Sequence, residues 1–352
     1  MFGRPPTIRI FGKSGKTEKV TYILPIFATV VLASWATEAA GQTPIPLGQG
    51  STGPPAATAP VRVRPSEPRQ APAESNSGDA LLQQVVAAVD AQRSIAAKVR
   101  HKVDLGGTTI FGSGVYLQQG RGPGRLLRFE LKFQTTPQTT SIQEICDGAS
   151  LWIHDDLAGD NGLGRVDMAR LRRARPKTPA AQVVDTWLAL GGLPKVLLGI
   201  EGAFRFAAAT PSKLDDLSVW SLEGQWKPAR LAAMLPGQKA AIEAGGEVNL
   251  TKLSPNVPDR VMLYVGRDDL FPYRIEYWRS KTDKKGAKIA GSNLLLVMEF
   301  YEVQLGMPID PRQFRFAPGD QPPVDRTSGY LDRLGLEEIV VPEARQKPPV
   351  RR

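Results

Sequence analysis

The stretch Ile95-Ala-Ala-Lys-Val-Arg-His-Lys-Val-Asp-Leu105 carries the clearest alternation of apolar and polar side chains in this sequence. On one side of an extended backbone fall the apolar residues Ile95, Ala97, Val99, Val103 and Leu105, with His101 among them. On the other side fall the charged residues Lys98, Arg100, Lys102 and Asp104. Because successive side chains of a strand point to opposite faces, this pattern predicts a strand with one buried face.

The segments that follow repeat the pattern. Residues 110–118 are predicted to form the next strand, and Gly120-Arg-Gly-Pro-Gly124 is predicted to form the turn after it. A third strand is indicated by the alternation of Leu127, Phe129, Leu131 and Phe133 with Arg128, Glu130 and Lys132. Asp147-Gly148 lies between the apolar segments 142–146 and 151–154, which is a strong hairpin signal. Consecutive strands joined by tight turns predict an antiparallel sheet.

Helical periodicity occurs in two regions. Asp79 is predicted to cap a helix that runs to about Gln92, with an apolar stripe of Leu82, Val85, Val86 and Val89. Thr178-Pro179 predicts the start of a second helix, with a stripe of Val183, Val184, Trp187 and Leu188. Gly191-Gly192 is expected to end it, and residues 193–200 to form a short third helix. Because these helices are apolar on one face and lie between strands, they are expected to cover a sheet.

The remaining apolar segments again favour strands. They lie at 204–206, 219–226, 261–265, 273–278, 294–303 and 314–316. Few helical patterns stand between them, which argues against alternating βαβ units. The fold class is therefore predicted to be mainly β with added helices (α+β), built as one strongly curved antiparallel sheet.

The N-terminal region has the pattern of an export signal. An apolar run at 20–36 is followed by small residues up to Gly41, and it is preceded by the basic residues Arg4, Arg9, Lys13, Lys16 and Lys19. Residues 1–41 are therefore predicted to be a signal peptide or, since the run is just long enough to span a bilayer, an N-terminal membrane anchor. Either interpretation predicts a protein of the periplasm or cell envelope, and the second tethers it to the inner membrane by residues 20–36.

Three further segments complete the predicted domain plan. Residues 42–78 are rich in Pro, Ala, Gly, Ser and Thr and have almost no large apolar residues, so a disordered linker is predicted. The folded domain is predicted at 79–335, and a polar tail at 336–352.

Composition narrows the classes of function. The formal charge is +10, but the basic cluster Arg170, Arg172, Arg173, Arg175 and Lys177 lacks the interleaved aromatic residues of a nucleic-acid surface, so no nucleic-acid partner is expected. The cluster is interpreted as a solvated helix face or as a contact for anionic lipid or an acidic partner. Cys146 is the only cysteine, which excludes a disulfide within the chain and a thiolate zinc site.

Motifs for catalysis or metal binding are not found. His101 and His154 are the only histidines, and there is no Gly-x-Ser-x-Gly elbow. The acidic stretch after His154 fails the pattern of a calcium loop. The sequence therefore predicts a protein that is not an enzyme, with neither metal nor cofactor. A pH-dependent activity that is lost on replacing His154 or Asp156 would favour an enzyme instead.

Three segments carry a resemblance to a known family. They are the strand pair Gly114-Val-Tyr-Leu117 and Leu127-Arg-Phe129, the hairpin Cys146-Asp-Gly-Ala-Ser-Leu-Trp-Ile-His154, and Pro308-Ile-Asp-Pro-Arg-Gln-Phe-Arg-Phe-Ala-Pro318 with Asp325. Together they resemble the LolA-like periplasmic carriers of lipoproteins. The order of the segments is similar too, and the resemblance spans most of residues 79–330. The stretch 205–260 is longer than the family needs.

The resemblance implies an unclosed β-barrel whose concave face is apolar and is plugged by a helical lid, beneath which acyl chains enter. The expected lining consists of Leu127, Phe129, Leu131, Phe133, Trp152, Val184, Trp187 and Leu188. In the family an arginine at the turn between the first strands holds the lid, and the candidates here are Arg121 and Arg125.

Two functions follow from these observations. One is a carrier or binder of lipid or lipoprotein acyl chains, a monomer whose further partners are transfer proteins of the inner or outer membrane. The other is an envelope interaction or sensor module of the same fold, in which the same residues are a permanently packed core.

Overall fold

The computed structural model describes residues 77–105, 108–135, 138–156, 162–176, 188–283 and 288–339. The predicted signal or anchor at 1–41, nearly all of the predicted linker at 42–78 and the end of the chain after residue 339 lie outside these ranges. Among the helices in the described ranges, none is both long enough and apolar enough to cross a membrane.

One large sheet dominates the described part of the chain. Its first strands are β1 Ser94–Leu105, β2 Thr108–Gln119, β3 Leu126–Thr135, β4 Gln138–Cys146, β5 Ser150–Asp155 and β6 Leu163–Asp167. A short β7, Arg175–Pro176, lies outside this sheet. The strands of the second half are β8 Phe204–Phe206, β9 Thr210–Leu214, β10 Leu217–Trp226, β11 Arg260–Gly266, β12 Pro272–Thr282 and β13 Lys288–Leu305. Two short strands follow, β14 Val324–Asp325 and β15 Leu336–Glu337.

The sheet is unclosed and curved, as the sequence predicts. Its order is β14-β6-β5-β4-β3-β2-β1-β13-β12-β11-β10-β8, with β9 also paired to β10. The pairing of β1 with β13 joins the two halves of the sheet. Within each half, from β6 to β1 and from β13 to β10, neighbouring strands are consecutive in the chain. Every pair is antiparallel except that of β14 with β6. The strands β7 and β15 form a separate small ladder.

Six helices are described around the sheet. They are α1 Gly78–Ala91, α2 Met168–Arg173, α3 Leu188–Ala203, α4 Pro228–Met234, α5 Lys239–Glu243 and α6 Thr327–Arg333. Helix α3 is interrupted at Gly192, whose φ of 71° is not helical. Helix α1 contacts α3 and β8, and α3 contacts β3 and β4. We call α1 and α3 together the helical cover.

The face of the sheet beneath the helical cover is apolar and buried. The strand pairing places Ala97, Tyr116 and Phe129 side by side on it. Val99 lies on the same face, because it follows Ala97 at the two-residue spacing of a strand. We call this the covered face. The alternation predicted for 95–105 is confirmed, since Ile95, Val99 and Val103 are buried and Lys98 and Arg100 are exposed.

Two local predictions are corrected. Asp79 does not cap α1: Ser77 occupies that position, and the Asp79 carboxylate accepts a hydrogen bond of 2.8 Å from the backbone N–H of Phe206. The predicted strand at 314–316 is also wrong. Asp310 accepts a hydrogen bond from the Arg312 N–H and Pro311 follows it, so this segment forms a 3-10 turn at Pro311–Phe314.

The long segment between β10 and β11 provides a second cover for the sheet. Its buried residues, Leu235, Ile242, Leu250, Leu253 and Val257, belong to the same core cluster as the covered face. Arg279 on β12 is buried beneath it and donates hydrogen bonds to the carbonyl oxygens of Val257 at 2.9 Å and Leu250 at 2.5 Å. The stretch 205–260 therefore contributes to closing the fold.

Candidate functional site

Strand β3 supplies a continuous apolar strip to the covered face. The strip consists of Leu127, Phe129, Leu131 and Phe133, whose side chains are 1–4% exposed. On the neighbouring strands, Cys146 pairs with Leu127 and with Leu151, so these residues extend the strip sideways. The structure thus brings together the four β3 residues that the sequence selects.

The helical cover closes this strip from above. Leu188 in α3 is 1% exposed and belongs to the same core cluster as the β3 residues. Helix α1 adds Leu82, Val85 and Val89, and α3 adds Leu193, Val196, Leu197 and Ile200, all of them buried. Val184 and Trp187, the other two expected lid residues, lie outside the described residues.

Trp152 does not join the covered face. It follows Leu151, which lies on that face, so the strand alternation points Trp152 to the opposite side of β5. There its ring stacks on Phe316 with centroids 5.5 Å apart, and its Nε1 donates to the Asp147 carboxylate at 3.1 Å. The prediction that Trp152 lines an acyl cavity is therefore corrected, because its ring packs against Phe316 on the face of the sheet opposite the helical cover.

Arg125 connects both helices of the cover to the sheet. Its guanidinium donates to the Gly191 carbonyl of α3 at 2.6 Å and to the Asp90 carboxylate of α1 at 2.5 Å. The Arg125 side chain is only 7% exposed, whereas Asp90 is largely exposed. A charged donor to a backbone carbonyl is worth about 1.5–3 kcal/mol, so this contact is a substantial part of what holds α3 down.

Arg121 plays a smaller part. It is exposed, and its guanidinium donates to the carbonyl oxygen of Ala91 at the end of α1. Among the described residues, Arg121 makes no hydrogen bond to α3. Of the two arginines selected by the sequence, Arg125 is therefore the one placed to hold the interrupted helix.

A second polar contact holds α3 at its interruption. The Leu193 backbone N–H donates to the Tyr116 hydroxyl at 2.8 Å, and that hydroxyl donates to Gln118 Oε1 at 2.7 Å. Burial raises the pKa of Tyr116, so the phenol stays protonated. Gly192 lies so close to the sheet that a Cβ there would be 2.3 Å from Gln118 Oε1. The sequence does not mark these residues, because a single glutamine at an apolar position of β2 gives no periodic signal.

Other polar groups are also buried on the covered face. Burial lowers the pKa of His101 to about 4, so this imidazole is neutral at ordinary pH. Glu144, which pairs with Phe129, is 1% exposed. Burial also raises the pKa of the Cys146 thiol. A thiol of this kind packs as a small apolar residue and is a poor nucleophile.

The described start of the acidic stretch, up to Asp156, is engaged in local contacts. His154 Nδ1 lies 3.7 Å from Asp156 Oδ1, and both side chains are substantially exposed. Asp156 also accepts from the backbone N–H of Ser141 at 3.1 Å. Within the described ranges, no group of three or more His, Cys, Asp or Glu residues is arranged to hold a metal ion.

Three arginines of the basic cluster, in α2 and β7, have partners, and Lys177 lies outside the described residues. Arg170 donates to Glu338 at 2.8 Å and lies 3.4 Å from Asp325. Arg175 pairs with Glu337 at 2.7 Å, and Arg172 donates to the Gly148 carbonyl at 2.7 Å. The ion pairs of Arg170 and Arg175 tie α2 and β7 to residues 325–338.

The fold and site together define a class of protein: an unclosed antiparallel sheet with an apolar face that is closed by helices, which polar contacts hold in place. A scan of protein families gives no match, and no curated protein matches either.

Several solved structures are similar to the chain. LprF from Mycobacterium bovis is 13% identical over 66% of this chain and 94% of that chain, with a TM-score of 0.30. The lipoprotein LppX from Mycobacterium tuberculosis is 10% identical over 66% and 96%, with a TM-score of 0.31. A LolA superfamily protein from Nitrosomonas europaea is 11% identical over 68% and 98%, with a TM-score of 0.23.

Proposed function

We propose that this chain is a non-catalytic, exported protein of the bacterial envelope that binds the acyl chains of lipids or lipoproteins between the covered face and the helical cover. The observation that carries the proposal is the way α3 is held. An apolar strip lies beneath a helix that is interrupted at Gly192, and the polar contacts of Arg125 and Tyr116 fix the helix at that interruption. Such a helix can separate from the sheet as a unit.

The energetics of this arrangement favour reversible binding. Each acyl CH₂ removed from water contributes about 0.8 kcal/mol, so even a medium-length chain gains several kcal/mol on entering the strip. The cover opposes this gain, because Leu188, Leu193 and Leu197 must leave the sheet before the ligand can take their place. A cover that competes with its ligand allows both uptake and release, which a carrier between membranes requires.

The first experiment is native mass spectrometry of the full chain purified from the envelope of an expressing bacterium, followed by lipid extraction. We expect a co-purified acyl species whose amount falls in Phe129→Asp. The matched control is Phe111→Asp, the same change at a phenylalanine that is 59% exposed on β2. The control should retain the ligand.

Because a charge at Phe129 can unfold the domain, uptake by the wild-type chain is measured as well. The delipidated protein should bind a fluorescent fatty acid with saturation and release it to an excess of unlabelled acyl chain. A ligand-free mass together with no uptake of the probe would contradict the proposal.

The second candidate is an envelope interaction or sensor module with no transported ligand. It is favoured by the near-complete burial of the strip, since Leu131 is 1% and Phe133 is 2% exposed, as in a filled core. The same two measurements separate the candidates, because a filled core gives a ligand-free mass and takes up no probe.

A further inference from the structure

An amide group lies buried at one end of the apolar strip without a complete set of partners. Gln118 is 0% exposed on β2, where it pairs with Leu127 at the start of the strip. Its Oε1 accepts the Tyr116 hydroxyl, whereas its Nε2 has no hydrogen-bond partner among the described residues. Buried donors without a partner are costly and uncommon in folded proteins, so a group of this kind calls for a function.

We propose that Gln118 Nε2 is the head-group donor of the ligand site and binds the neutral carbonyl oxygen of an acyl ester or amide. The inference rests on the proposed function and adds the chemistry that the site selects. Tyr116 is a positioning residue in this scheme. Its hydroxyl accepts a hydrogen bond from the Leu193 N–H and donates one to Gln118 Oε1. This orients the amide so that its N–H₂ group is the one without a protein partner among the described residues.

The charges near this end favour a neutral head group. Arg125, which donates to the Gly191 carbonyl next to the interruption, already pairs with Asp90 at 2.5 Å. An uncharged amide donor therefore remains for the ligand. A carbonyl oxygen needs one or two donors and carries no charge to desolvate, whereas a carboxylate brought to the same buried place would pay a large desolvation cost.

The position of Gln118 also sets the direction of the acyl chain. Leu127 lies beside it, and Phe133 is six residues further along β3, which at about 3.4 Å per residue is roughly 20 Å away. The head group would therefore lie next to the interruption of α3, and the tail would run along β3 towards Phe133. Lifting the interruption at Gly192 would expose the head-group end of the site.

The test compares two ligands of equal chain length, methyl dodecanoate and dodecane, by displacement of a bound fluorescent acyl probe from the full chain. In Gln118→Met, which keeps the length of the side chain and removes the donor, the ratio of ester affinity to hydrocarbon affinity should fall about three- to tenfold. The matched control is Gln119→Met, the same substitution one residue along, on the opposite face of β2. The control should keep the wild-type ratio.

A second measurement keeps the inference testable should Gln118→Met fail to fold. The carbonyl stretching band of a ¹³C-labelled ester bound to the wild-type chain should shift to lower frequency than in hexane, as expected for a hydrogen-bonded carbonyl. An unshifted band, or an affinity ratio that is the same in wild type and Gln118→Met, would overturn the inference while leaving acyl binding intact. If the wild-type chain binds no acyl probe, the proposed function itself is wrong and the inference is wrong with it.

Discussion

Gly192 is the residue at which the backbone of the helical cover meets the sheet. Its φ of 71° is one that residues with a side chain rarely adopt, and a Cβ there would collide with Gln118 Oε1. We therefore expect Gly192→Ala to lower the free energy of unfolding by about 1–3 kcal/mol, as measured by urea denaturation. Gly202→Ala is the matched control: nothing lies within 4 Å of its added Cβ. That variant should be neutral or slightly more stable, and equal losses in both would contradict this account.

His101 should make the stability of the fold depend on pH. Its folded pKa is about 4, below the ordinary value of 6.5, because burial disfavours the charged imidazolium. Between these two values the unfolded chain binds a proton that the folded chain does not. The contribution of His101 to the free energy of unfolding is therefore fully present above pH 6.5 and is lost as the pH falls towards 4, by up to about 1.4 kcal/mol per pH unit.

The comparison that isolates His101 is denaturation at several pH values in wild type, His101→Met and His154→Met. Carboxylates titrate in all three chains, so only the difference between wild type and His101→Met reports on this group. His154 is 40% exposed, so His154→Met serves as the control for the loss of a histidine at the surface. A slope that persists in His101→Met would show that other groups cause it.

At the residue scale, alternation predicts which face a side chain occupies only where the alternation is visible. It is visible at 127–133, where apolar and charged residues alternate, and those four apolar residues are buried. It is hidden at Leu151-Trp152-Ile153, where every residue is apolar, and there the sequence assigns Trp152 to the wrong face. Gln118 was missed for the opposite reason: a polar residue at an apolar position gives no periodic signal, although it lies wholly inside.

At the element scale, Arg279 does for the second cover what Arg125 does for the first. It donates to the carbonyl oxygens of Leu250 and Val257, and burial lowers its pKa, since the charge is held in an apolar interior. We expect Arg279→Met to lower the free energy of unfolding by about 2–4 kcal/mol, because two buried carbonyls lose a charged donor. In the same variant, amide hydrogen exchange should become faster in residues 250–257 and stay at the wild-type rate in α1.

The matched control for this change is Lys281→Met, two residues along the same strand, where the lysine is exposed. It should change stability by less than about 0.5 kcal/mol. If both variants were equally stable, the contacts of Arg279 would be incidental to the way the segment is held.

Most elements of this fold are predictable because they depend on local pattern. Strands β1 to β5 are marked by alternating or apolar segments and by the turns at 120–124 and 147–148, and the first helix by its apolar stripe. Elements that depend on side-chain capping are harder to predict. At Asp310-Pro311 a local hydrogen bond favours a 3-10 turn over the strand that the apolar residues Phe314 and Phe316 suggest.

At the scale of the whole molecule, the sequence does not predict that the segment between β10 and β11 covers the sheet. Arg279 and Leu250 are distant in sequence, and nothing in either segment indicates that they meet. The pairing of β1 with β13 is equally non-local, and it decides that the two halves form one sheet. Such contacts are set by tertiary packing, which no local propensity reports.

The whole-molecule prediction concerns the balance between stability and uptake. If α3 competes with the acyl chain for the covered face, a change that weakens the cover should make the fold less stable and ligand entry faster. Arg125→Met removes the donor to Gly191 and should lower the free energy of unfolding by about 1–3 kcal/mol. We expect the same variant to take up a fluorescent acyl probe at a higher rate in stopped-flow mixing.

Cys146 gives an independent view of the same motion. It is the only cysteine of the chain and is buried on the covered face opposite Leu127, where burial raises its thiol pKa. Its reaction with a maleimide should be slow in wild type and in Arg121→Met, which leaves the Gly191 contact intact, and faster in Arg125→Met. Faster labelling together with faster uptake is expected only where the cover is a moving part. In a permanently filled core, Arg125→Met would cost stability and expose the thiol through unfolding, and the rate of probe uptake would not rise.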